Sequence, residues 1–202
     1  MERTEQLAFA PGLEGLDQHI SLWMNGINAP WSDAFWAFMS LIKVWYPMYA
    51  LVAALLIWRL GWKRGLICIA CAAVGLFLDE RICNLIKEIV ERVRPCNDSG
   101  MIAAGIHILE YGGGWSCPSG HACNSFGFAI TTALCLKMDR RLNWTWYSIF
   151  ILTWAALVGI SRVMVARHFL GDVLIGTAIG LTVGYIMAIL AGVLCRKVQK
   201  KQ

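Results

Sequence analysis

The chain has 202 residues, of which 58% are hydrophobic and only 15% are charged, and its mean hydropathy is +0.57. This composition excludes an ordinary soluble domain and predicts an integral membrane protein. The formal net charge of +5 does not predict nucleic-acid binding, because the basic residues gather at the ends of apolar runs and no basic stripe is interleaved with aromatic residues. We therefore predict an all-α helical bundle in one membrane-embedded domain over residues 1–202.

The N-terminal segment, residues 1–33, is predicted to lie at the membrane surface. Between Leu16 and Ile27 the apolar positions 16, 20, 23, 24 and 27 follow helical spacing, but the run is too short to cross a bilayer. We expect an interfacial helix there, with His19 as a surface histidine.

About five transmembrane helices are predicted within the helical core, residues 34–202. The first covers residues 34–60, with its centre at 48–58, and the second runs from 65 to about 86. The others cover about 119–136, 144–160 and 168–194, so that His168 opens the fifth. The loop at 96–117 is polar and glycine-rich and has no obvious secondary structure.

The second predicted span carries charges in its final third, which need partners or water. Glu80, Asn84, Lys87, Glu91 and Arg94 follow the spacing of one helical face until Pro95 ends the helix. We expect Lys87 and Arg94 to face a site at the end of this span, although a solvated helix end would also explain the charges.

Lysine and arginine in short loops predict the orientation of the spans, because such residues favour the cytoplasmic side. One side holds Arg59, Lys63, Arg64, Lys137, Arg140, Arg141, Arg196, Lys197, Lys200 and Lys201 against Asp139 alone. We predict that this side is cytoplasmic. The opposite side, outside a bacterial cytoplasmic (inner) membrane, would then carry Lys87, Arg94, His121, Arg162 and His168.

The stretch Cys117–Thr132, C-P-S-G-H-A-C-N-S-F-G-F-A-I-T-T, contains a predicted helix start. Ser119 is a good N-cap, and Gly120 lets a ligand approach the backbone closely. The free N–H groups and the positive end of such a helix attract an anion, to which His121 in the first turn can pass a proton. These features predict a phosphate-type site at the membrane surface.

Three motifs are predicted to meet on the outer face: Lys87-x6-Arg94-Pro95, Pro118-Ser119-Gly120-His121, and Ser161-Arg162-x5-His168-x3-Asp172. In this order they resemble the three-part signature of the type 2 phosphatidic acid phosphatase superfamily, which also includes vanadium-dependent haloperoxidases. The motifs fall within residues 87–172. The N-terminal third of the chain resembles the family only in being helical.

The residue types also suit phosphoryl transfer on chemical grounds. Lys87, Arg94 and Arg162 supply positive charge for the equatorial oxygens, while Ser119 and the backbone N–H of Gly120 add neutral hydrogen bonds. Because His168 and Asp172 are spaced i, i+4, the carboxylate can hold one ring nitrogen and leave the other as the nucleophile.

The resemblance implies the same assignment. His168 attacks phosphorus to form a phosphohistidine, Asp172 orients it, and His121 is the general acid. The resemblance implies no metal and no other cofactor.

The cysteines raise two further hypotheses. Cys96 and Cys117 bracket the outer loop in a compartment that permits disulfides, so we predict a bond between them that holds Arg94 near His121. The remaining six cysteines are expected to pack as small apolar groups. The spacing Cys117-x3-His121-x-Cys123 leaves a zinc site open as an alternative.

The predicted function is a membrane lipid phosphatase that hydrolyses a phosphomonoester or a diphosphate, with membrane lipids as its surroundings and a lipid phosphate as its substrate. Undecaprenyl diphosphate is slightly favoured, and lipid A phosphates or phosphatidylglycerol phosphate are the alternatives. A vanadate-loaded haloperoxidase and a non-enzymatic lipid transport or channel protein are the alternatives of another class. The sequence predicts no oligomeric state.

Overall fold

The computed structural model describes residues 12–27 and 29–199, and within these ranges the regular structure is helical throughout. The α-helices are α1 (Leu13–Asn25), α2 (Pro30–Ser40), α3 (Tyr46–Leu60), α4 (Trp62–Val90), α5 (Ser99–Ala103), α6 (Gly120–Leu136), α7 (Thr145–Met164) and α8 (Leu170–Gln199). Short 3-10 helices cover Ile42–Trp45 and Pro95–Asn97. The predicted all-α fold is confirmed.

Three segments have the length and hydropathy to cross a membrane: Ile42–Leu60, Thr145–Met164 and Leu170–Gln199. Helix α4 has 29 residues but carries charges along its length, and α6 has only 17. Both nevertheless pack in the bundle, α6 against α4, α7 and α8, and α4 also against α8. The membrane bundle is therefore confirmed, although α4 and α6 do not by themselves have the combination of length and hydropathy that marks a membrane span.

Glycines on α8 bring its backbone unusually close to that of α6. A methyl group at Gly176, Gly180 or Gly184 would collide with the carbonyl oxygens of Ser119, Cys123 and Gly127 respectively. Small residues four positions apart allow this kind of close helix crossing in membranes. The crossing sets the start of α6 beside the start of α8, where two of the three predicted motifs lie.

The centre of the bundle is filled by aromatic side chains from three helices. Tyr49, Phe128 and Trp154 form edge-to-face pairs with ring centroids 4.9 to 6.3 Å apart. Trp45 extends the group by packing 5.6 Å from Trp154. Such pairs fix the spacing of α3, α6 and α7, since each ring prefers a defined angle to its neighbours.

The predicted helical face from Glu80 to Arg94, ended by Pro95, was wrong. Helix α4 stops at Val90, where Glu91 takes a left-handed conformation with φ 48° and donates its N–H to Lys87 O. Arg94 is extended, with φ −77° and ψ 151°, because the ring of Pro95 disfavours a helical residue before it. Lys87 and Arg94 therefore do not share a helical face.

Two other local predictions need correction. The loop at 96–117 is not wholly irregular, because it contains α5. Asp98 is the N-cap of this helix, and its side chain accepts a hydrogen bond from the N–H of Met101. His168 does not open the last span but lies in the turn before α8, which begins at Leu170.

Helix α1 is where the surface helix was predicted, and its polar residues point inward. Gln18, Ser21 and Asn25 are buried, whereas Leu16 and Trp23 are 55% and 69% exposed. The apolar face of α1 is thus on the outside, as suits contact with lipid, and its polar face packs on the protein. The N-terminal residues 1–11 lie outside the described part of the chain.

The predicted disulfide is absent, because Cys96 and Cys117 are both free, buried thiols. The two side chains lie in different surroundings. Cys96 packs with Met101, Ile106 and Phe169 in a small apolar cluster, whereas Cys117 lies within reach of the charges of Asp172 and Arg92.

Candidate active site

The turn between α7 and α8, which we call the histidine turn (residues 165–169), is held by backbone hydrogen bonds. The N–H groups of Arg167 and His168 both donate to the carbonyl of Arg162, at 2.9 and 3.0 Å. Ala166 adopts a left-handed conformation with φ 63°, which a residue other than glycine seldom adopts. The turn thereby brings the backbone of His168 next to that of Arg162, six residues earlier in the chain.

The side chain of His168 is buried between a cation and a carboxylate. Nη1 of Arg94 lies 3.1 Å from Nε2, and Oδ2 of Asp172 lies 3.7 Å from Nδ1. Because a guanidinium can only donate, Nε2 must accept and the ring proton belongs on Nδ1. His168 therefore turns its lone pair toward the cations and its N–H toward Asp172.

Ser116 links the imidazole to the carboxylate. Its hydroxyl lies 3.5 Å from Nδ1 of His168 and donates to Oδ2 of Asp172 at 2.5 Å. The direct separation of 3.7 Å between His168 and Asp172 is longer than a hydrogen bond. The carboxylate thus acts on the ring through its charge and through the Ser116 hydroxyl.

Asp172 itself is fully buried and heavily hydrogen-bonded. Besides the bond from Ser116, Oδ2 accepts from the N–H of Phe169 at 2.9 Å, and Oδ1 accepts from Nη1 of Arg92 at 2.8 Å. These donors fix both oxygens and favour the ionised form of the carboxyl group.

The surroundings of His168 keep its ring neutral. Burial lowers the pKa of His168 to about 4, and the positive charges of Arg162 and Arg94 act in the same direction against the opposing pull of Asp172. A neutral ring at pH 7 has an available lone pair on Nε2, as a nucleophile requires.

Arg94 reaches His168 from the extended segment after α4, where it ties three stretches of chain together. Its Nε donates to Gly113 O and Gly114 O at 3.0 and 3.1 Å, and Nη1 donates to Arg167 O at 2.9 Å. Burial and the neighbouring charge of Arg167 lower the pKa of Arg94. The guanidinium is consequently fixed in place before any ligand arrives.

Arg162, in the last turn of α7, is 1% exposed. Nη1 lies 3.2 Å from Oε2 of Glu110 and also donates to the hydroxyl of Ser40. Its Nε has no hydrogen-bond partner among the described residues. A buried donor without an acceptor is costly, so an anion that supplied an oxygen here would be stabilised.

The start of α6 is joined directly to the start of α8. The N–H of Ser119 donates to the carbonyl of Asp172 at 2.9 Å, and the Ser119 hydroxyl caps α6 by accepting from the N–H of Ala122 at 3.5 Å. Nζ of Lys87 and Oε2 of Glu80 lie 3.9 and 4.0 Å from the position that a Cβ on Gly120 would occupy. Lys87 therefore brings a positive charge to the N-terminus of α6, and the Glu80 carboxylate offsets part of it.

His121, in the first turn of α6, is partly exposed. It lines a cavity of about 170 Å³ together with Ser40, Trp45 and Trp154. Burial and the positive charge of Arg162 lower the pKa of His121 to about 3. The ring is therefore neutral in the free enzyme, and it can donate a proton to a leaving group only when a bound phosphate anion offsets these cations.

The structure brings most of the predicted residues together. Arg94, Arg162, His168 and Asp172 form one connected group, and Ser119 is tied to it through the backbone of Asp172. Lys87, Gly120 and His121 lie at the adjoining start of α6. Among the described residues, no group of three or more histidine, cysteine and acidic side chains is arranged to hold a metal ion.

Six residues of the site were missed: Asp17, Ser40, Arg92, Glu110, Ser116 and Arg167. Five of them contact Arg94, Arg162 or Asp172 directly, and Asp17 contacts Arg92. Arg92 and Arg167 lie at unspecified positions inside the first and third motifs and Ser116 just before the second, so proximity in sequence was a usable signal for these three. Asp17, Ser40 and Glu110 come from distant stretches, and nothing local marks them.

Comparison with known proteins points in one direction. Residues 65–194 match the family model described as the PAP2 superfamily. A lipid A 4'-phosphatase of Bacteroides thetaiotaomicron is 33% identical over 190 residues, which cover 93% of this chain and 82% of that protein. A lipid A 4'-phosphatase of Porphyromonas gingivalis is 25% identical over 174 residues, covering 85% of this chain and 71% of that protein.

Two solved structures share the fold. The transmembrane PAP2-type phosphatidylglycerolphosphate phosphatase of Bacillus subtilis has a TM-score of 0.68 at 23% identity, covering 94% of this chain and 89% of its own. LpxE of Aquifex aeolicus has a TM-score of 0.61 at 18% identity, covering 85% of this chain and 94% of its own.

Proposed function

Because the chain belongs to the PAP2 superfamily and is a membrane phosphatase that acts on lipid phosphoesters, we propose that His168 is its nucleophile and that the lipid substrate is lipid A. The observation that carries the catalytic assignment is the placement of His168 between Arg94 and Asp172. A neutral imidazole with its lone pair among cations is arranged to meet a phosphate group rather than to bind a metal.

In the first step, Nε2 of His168 attacks phosphorus while the bond from phosphorus to the lipid oxygen breaks. The departing oxygen takes a proton from the imidazolium form of His121, which the bound phosphate dianion stabilises against the neighbouring cations, and the Nδ1 proton of His168 remains directed at Asp172 and Ser116. In the second step, the oxygen of a water molecule attacks phosphorus, the nitrogen–phosphorus bond breaks, and His121 accepts the proton of the water. Inorganic phosphate is released and both histidines return to their starting states.

The cations have separate tasks in this scheme. Arg94 and Arg162 would donate to the equatorial oxygens, with the free Nε of Arg162 gaining an acceptor. Lys87 and the backbone N–H of Gly120 would bind oxygens on the side of α6, where Ser119 holds the helix start in position. Positive donors that are already fixed stabilise the transition state without reorganising during the reaction.

The choice of lipid A rests on the two lipid A 4'-phosphatases, one of which resembles this chain along nearly its whole length. It replaces undecaprenyl diphosphate, which the sequence alone slightly favoured. We place the protein in a bacterial inner membrane with its site on the outer face, since the basic loops lie at the opposite ends of the helices.

The direct experiment is phosphate release from a panel of purified lipids by the detergent-solubilised protein. Lipid A, undecaprenyl diphosphate and phosphatidylglycerol phosphate are presented at equal concentration, each with the intact protein and with His168→Ala. The proposal expects the highest kcat/KM on lipid A and none in the variant. A clear preference for one of the other two lipids would contradict the substrate assignment and leave the mechanism standing.

A further inference from the structure

Helix α1 contacts the catalytic elements through polar side chains that no motif contains. Oδ1 of Asp17 accepts from the N–H of Gly171 at 2.7 Å, and the hydroxyl of Ser21 accepts from the N–H of Leu170 at 2.9 Å. One turn further along, Asn25 donates to the carbonyl of Met164 at 3.0 Å. A single face of α1 therefore holds both ends of the histidine turn.

Arg92 joins this helix to the catalytic carboxylate. Its Nη1 lies 2.7 Å from Oδ2 of Asp17 and 2.8 Å from Oδ1 of Asp172. The guanidinium carbon lies 3.9 Å from the ring centroid of Phe169, a residue of the histidine turn. The Arg92 and Asp17 side chains are 16% and 15% exposed, so their charges are only weakly screened by solvent.

The charge on Arg92 is divided between two acids. Burial opposes its charge, but Asp172 and Asp17 together raise the pKa of Arg92. The negative charge of Asp17 partly neutralises Arg92 and so weakens the attraction between Arg92 and Asp172. Because Asp172 in turn faces Nδ1 of His168, a change at Asp17 is transmitted to the nucleophile without touching the substrate.

We propose that Asp17 and Arg92 are positioning residues that act through Asp172 on His168, so that the surface helix α1 is part of the catalytic apparatus. This inference rests on the proposed role of His168 as nucleophile. Helix α1 would then have two roles. Its exposed apolar face suits contact with lipid, and its polar face, which carries Asp17, positions the catalytic carboxylate.

The test compares Arg92→Gln, Asp17→Asn and the double variant with the intact protein. Glu14→Gln is the matched control, since Glu14 is an exposed acid on the same helix. Phosphate release from lipid A is measured over a range of pH and of substrate concentration, and thermal unfolding in detergent is recorded for each variant. Arg92→Lys and Asp17→Glu, which keep the two charges, are assayed beside them to separate loss of charge from loss of fold.

We expect kcat to fall about tenfold to a hundredfold in each single variant, the size of effect that small misplacements of reacting groups have. KM should stay nearly constant if both residues act through Asp172. Because Asp17 and Arg92 also line an apolar pocket beside α1, a rise in KM with unchanged kcat would assign them to substrate binding and overturn the positioning role. Arg92→Lys should recover part of the lost kcat, because it retains the charge between the two acids.

The pH profile separates this role from a merely structural one. The groups that face His168 are Arg94 from the segment after α4, Arg162 from α7, Asp172 from α8 and His121 from α6. Loss of the Arg92 charge strengthens Asp172 and should move the acid limb of kcat/KM to higher pH. Loss of the Asp17 charge should move it to lower pH, and the double variant should lie between them.

Opposite shifts would support the inference, since the titration of the substrate is common to all variants. Limbs that stay at the position of the Glu14→Gln control, or that move in the same direction in both single variants, would overturn it. His168→Ala is assayed in the same series. If that variant remains active, the proposed nucleophile fails, whereas an inactive His168→Ala with unaffected Asp17 and Arg92 variants rejects only the positioning role.

Discussion

Nη1 of Arg94 lies 3.1 Å from Nε2 of His168, so the atom assigned to attack phosphorus is occupied by a hydrogen bond in the free enzyme. A phosphate oxygen is a stronger acceptor for a guanidinium than a neutral ring nitrogen, because it carries negative charge. Binding of the substrate would draw the Arg94 N–H to the phosphate and leave Nε2 free. The hydrogen bond from Arg94 therefore occupies Nε2 of His168 in the free enzyme and is exchanged for one to the phosphate when the substrate binds.

Replacing His168 with alanine should abolish turnover. The loss of a nucleophile commonly costs at least about a thousandfold in kcat, and no phosphoenzyme should form. Phosphate release is measured together with the label retained on the protein after reaction with substrate that carries labelled phosphate, with the reaction stopped by denaturation at alkaline pH, where a phosphohistidine is stable. His19→Ala is the control, because His19 is an exposed histidine on α1, and it should keep near-normal activity. Near-normal release by His168→Ala would refute the nucleophile assignment.

Replacing His121 with alanine should slow the reaction according to the leaving group. If His121 protonates the departing oxygen, the loss should be large for a lipid alkoxide and small for an aryl phosphate, whose oxygen leaves without a proton. The two substrates are compared in kcat/KM with the intact protein and the variant. Equal losses on both substrates would argue that His121 only shapes the site.

Activity should persist at low pH until the nucleophile is protonated. The pKa of His168 is lowered to about 4, chiefly by burial, so the ring is neutral above this value and its lone pair is lost as the pH falls through it. In the free enzyme we expect kcat/KM to decline toward about pH 4 rather than near the ordinary histidine value of about 6.5. If kcat/KM already fell to zero near neutral pH while the protein stayed folded, the ring of His168 could not be buried and neutral.

Arg94→Ala should impair stability as well as activity. The guanidinium donates to the carbonyls of Gly113, Gly114 and Arg167. The two glycines are exposed and their carbonyls can turn to water, so each lost hydrogen bond should cost about 0.5–1.5 kcal/mol. Thermal unfolding in detergent measures the stability, and phosphate release measures the activity. Arg140→Ala, an exposed residue on the opposite side of the bundle, should leave both unchanged. An Arg94→Ala protein of normal Tm would show that loop 113–114 is held by other contacts.

The sequence singled out candidate site residues on three motifs, whereas it misplaced some of the helix boundaries around them. His168, Arg162 and Arg94 were chosen because their spacings resemble the motifs of the superfamily and because phosphoryl transfer needs cations and a nucleophile. The predicted fifth span at 168–194 nevertheless began too early, since an i, i+4 spacing of His168 and Asp172 also fits a turn that leads into a helix. Spacing alone does not distinguish a helical turn from a tight loop closed by the Arg162 carbonyl.

Contacts from distant stretches were beyond sequence reasoning. The pairing of Arg162 with Glu110, and of Arg92 with Asp17, depends on how helices cross. The amphipathic pattern of α1 was recognised, but its apolar side is the exposed side and its polar side contacts the residues that flank the histidine turn. A periodic pattern identifies two faces of a helix, and only the packed bundle decides which one is buried.

The close crossing of α6 and α8 predicts that Gly180→Leu should disrupt the site from within the membrane. A side chain at Gly180 would collide with the carbonyl of Cys123, and overpacking of this kind costs about 1–3 kcal/mol or more. The helices would separate, and the bond from Ser119 to Asp172 would be strained. Ala178→Leu, at an exposed position on the same helix, is the control. Equal Tm and activity in the two variants would contradict the crossing.

The free thiols of Cys96 and Cys117 give a last prediction, because the disulfide expected from the sequence would have stabilised the outer loop. With both thiols reduced, adding a reductant should change neither Tm nor phosphate release. Burial, together with the negative charge of Asp172, raises the pKa of Cys117 to about 12, so the folded protein should resist alkylation there while the denatured protein reacts. The measurement is the mass of the protein after alkylation with and without denaturant, and Cys117→Ala identifies the slow site. If the denatured protein could be labelled at Cys96 and Cys117 only after a reductant was added, the two cysteines would be joined by a disulfide. Such a bond would link the Arg94 segment covalently to the start of α6.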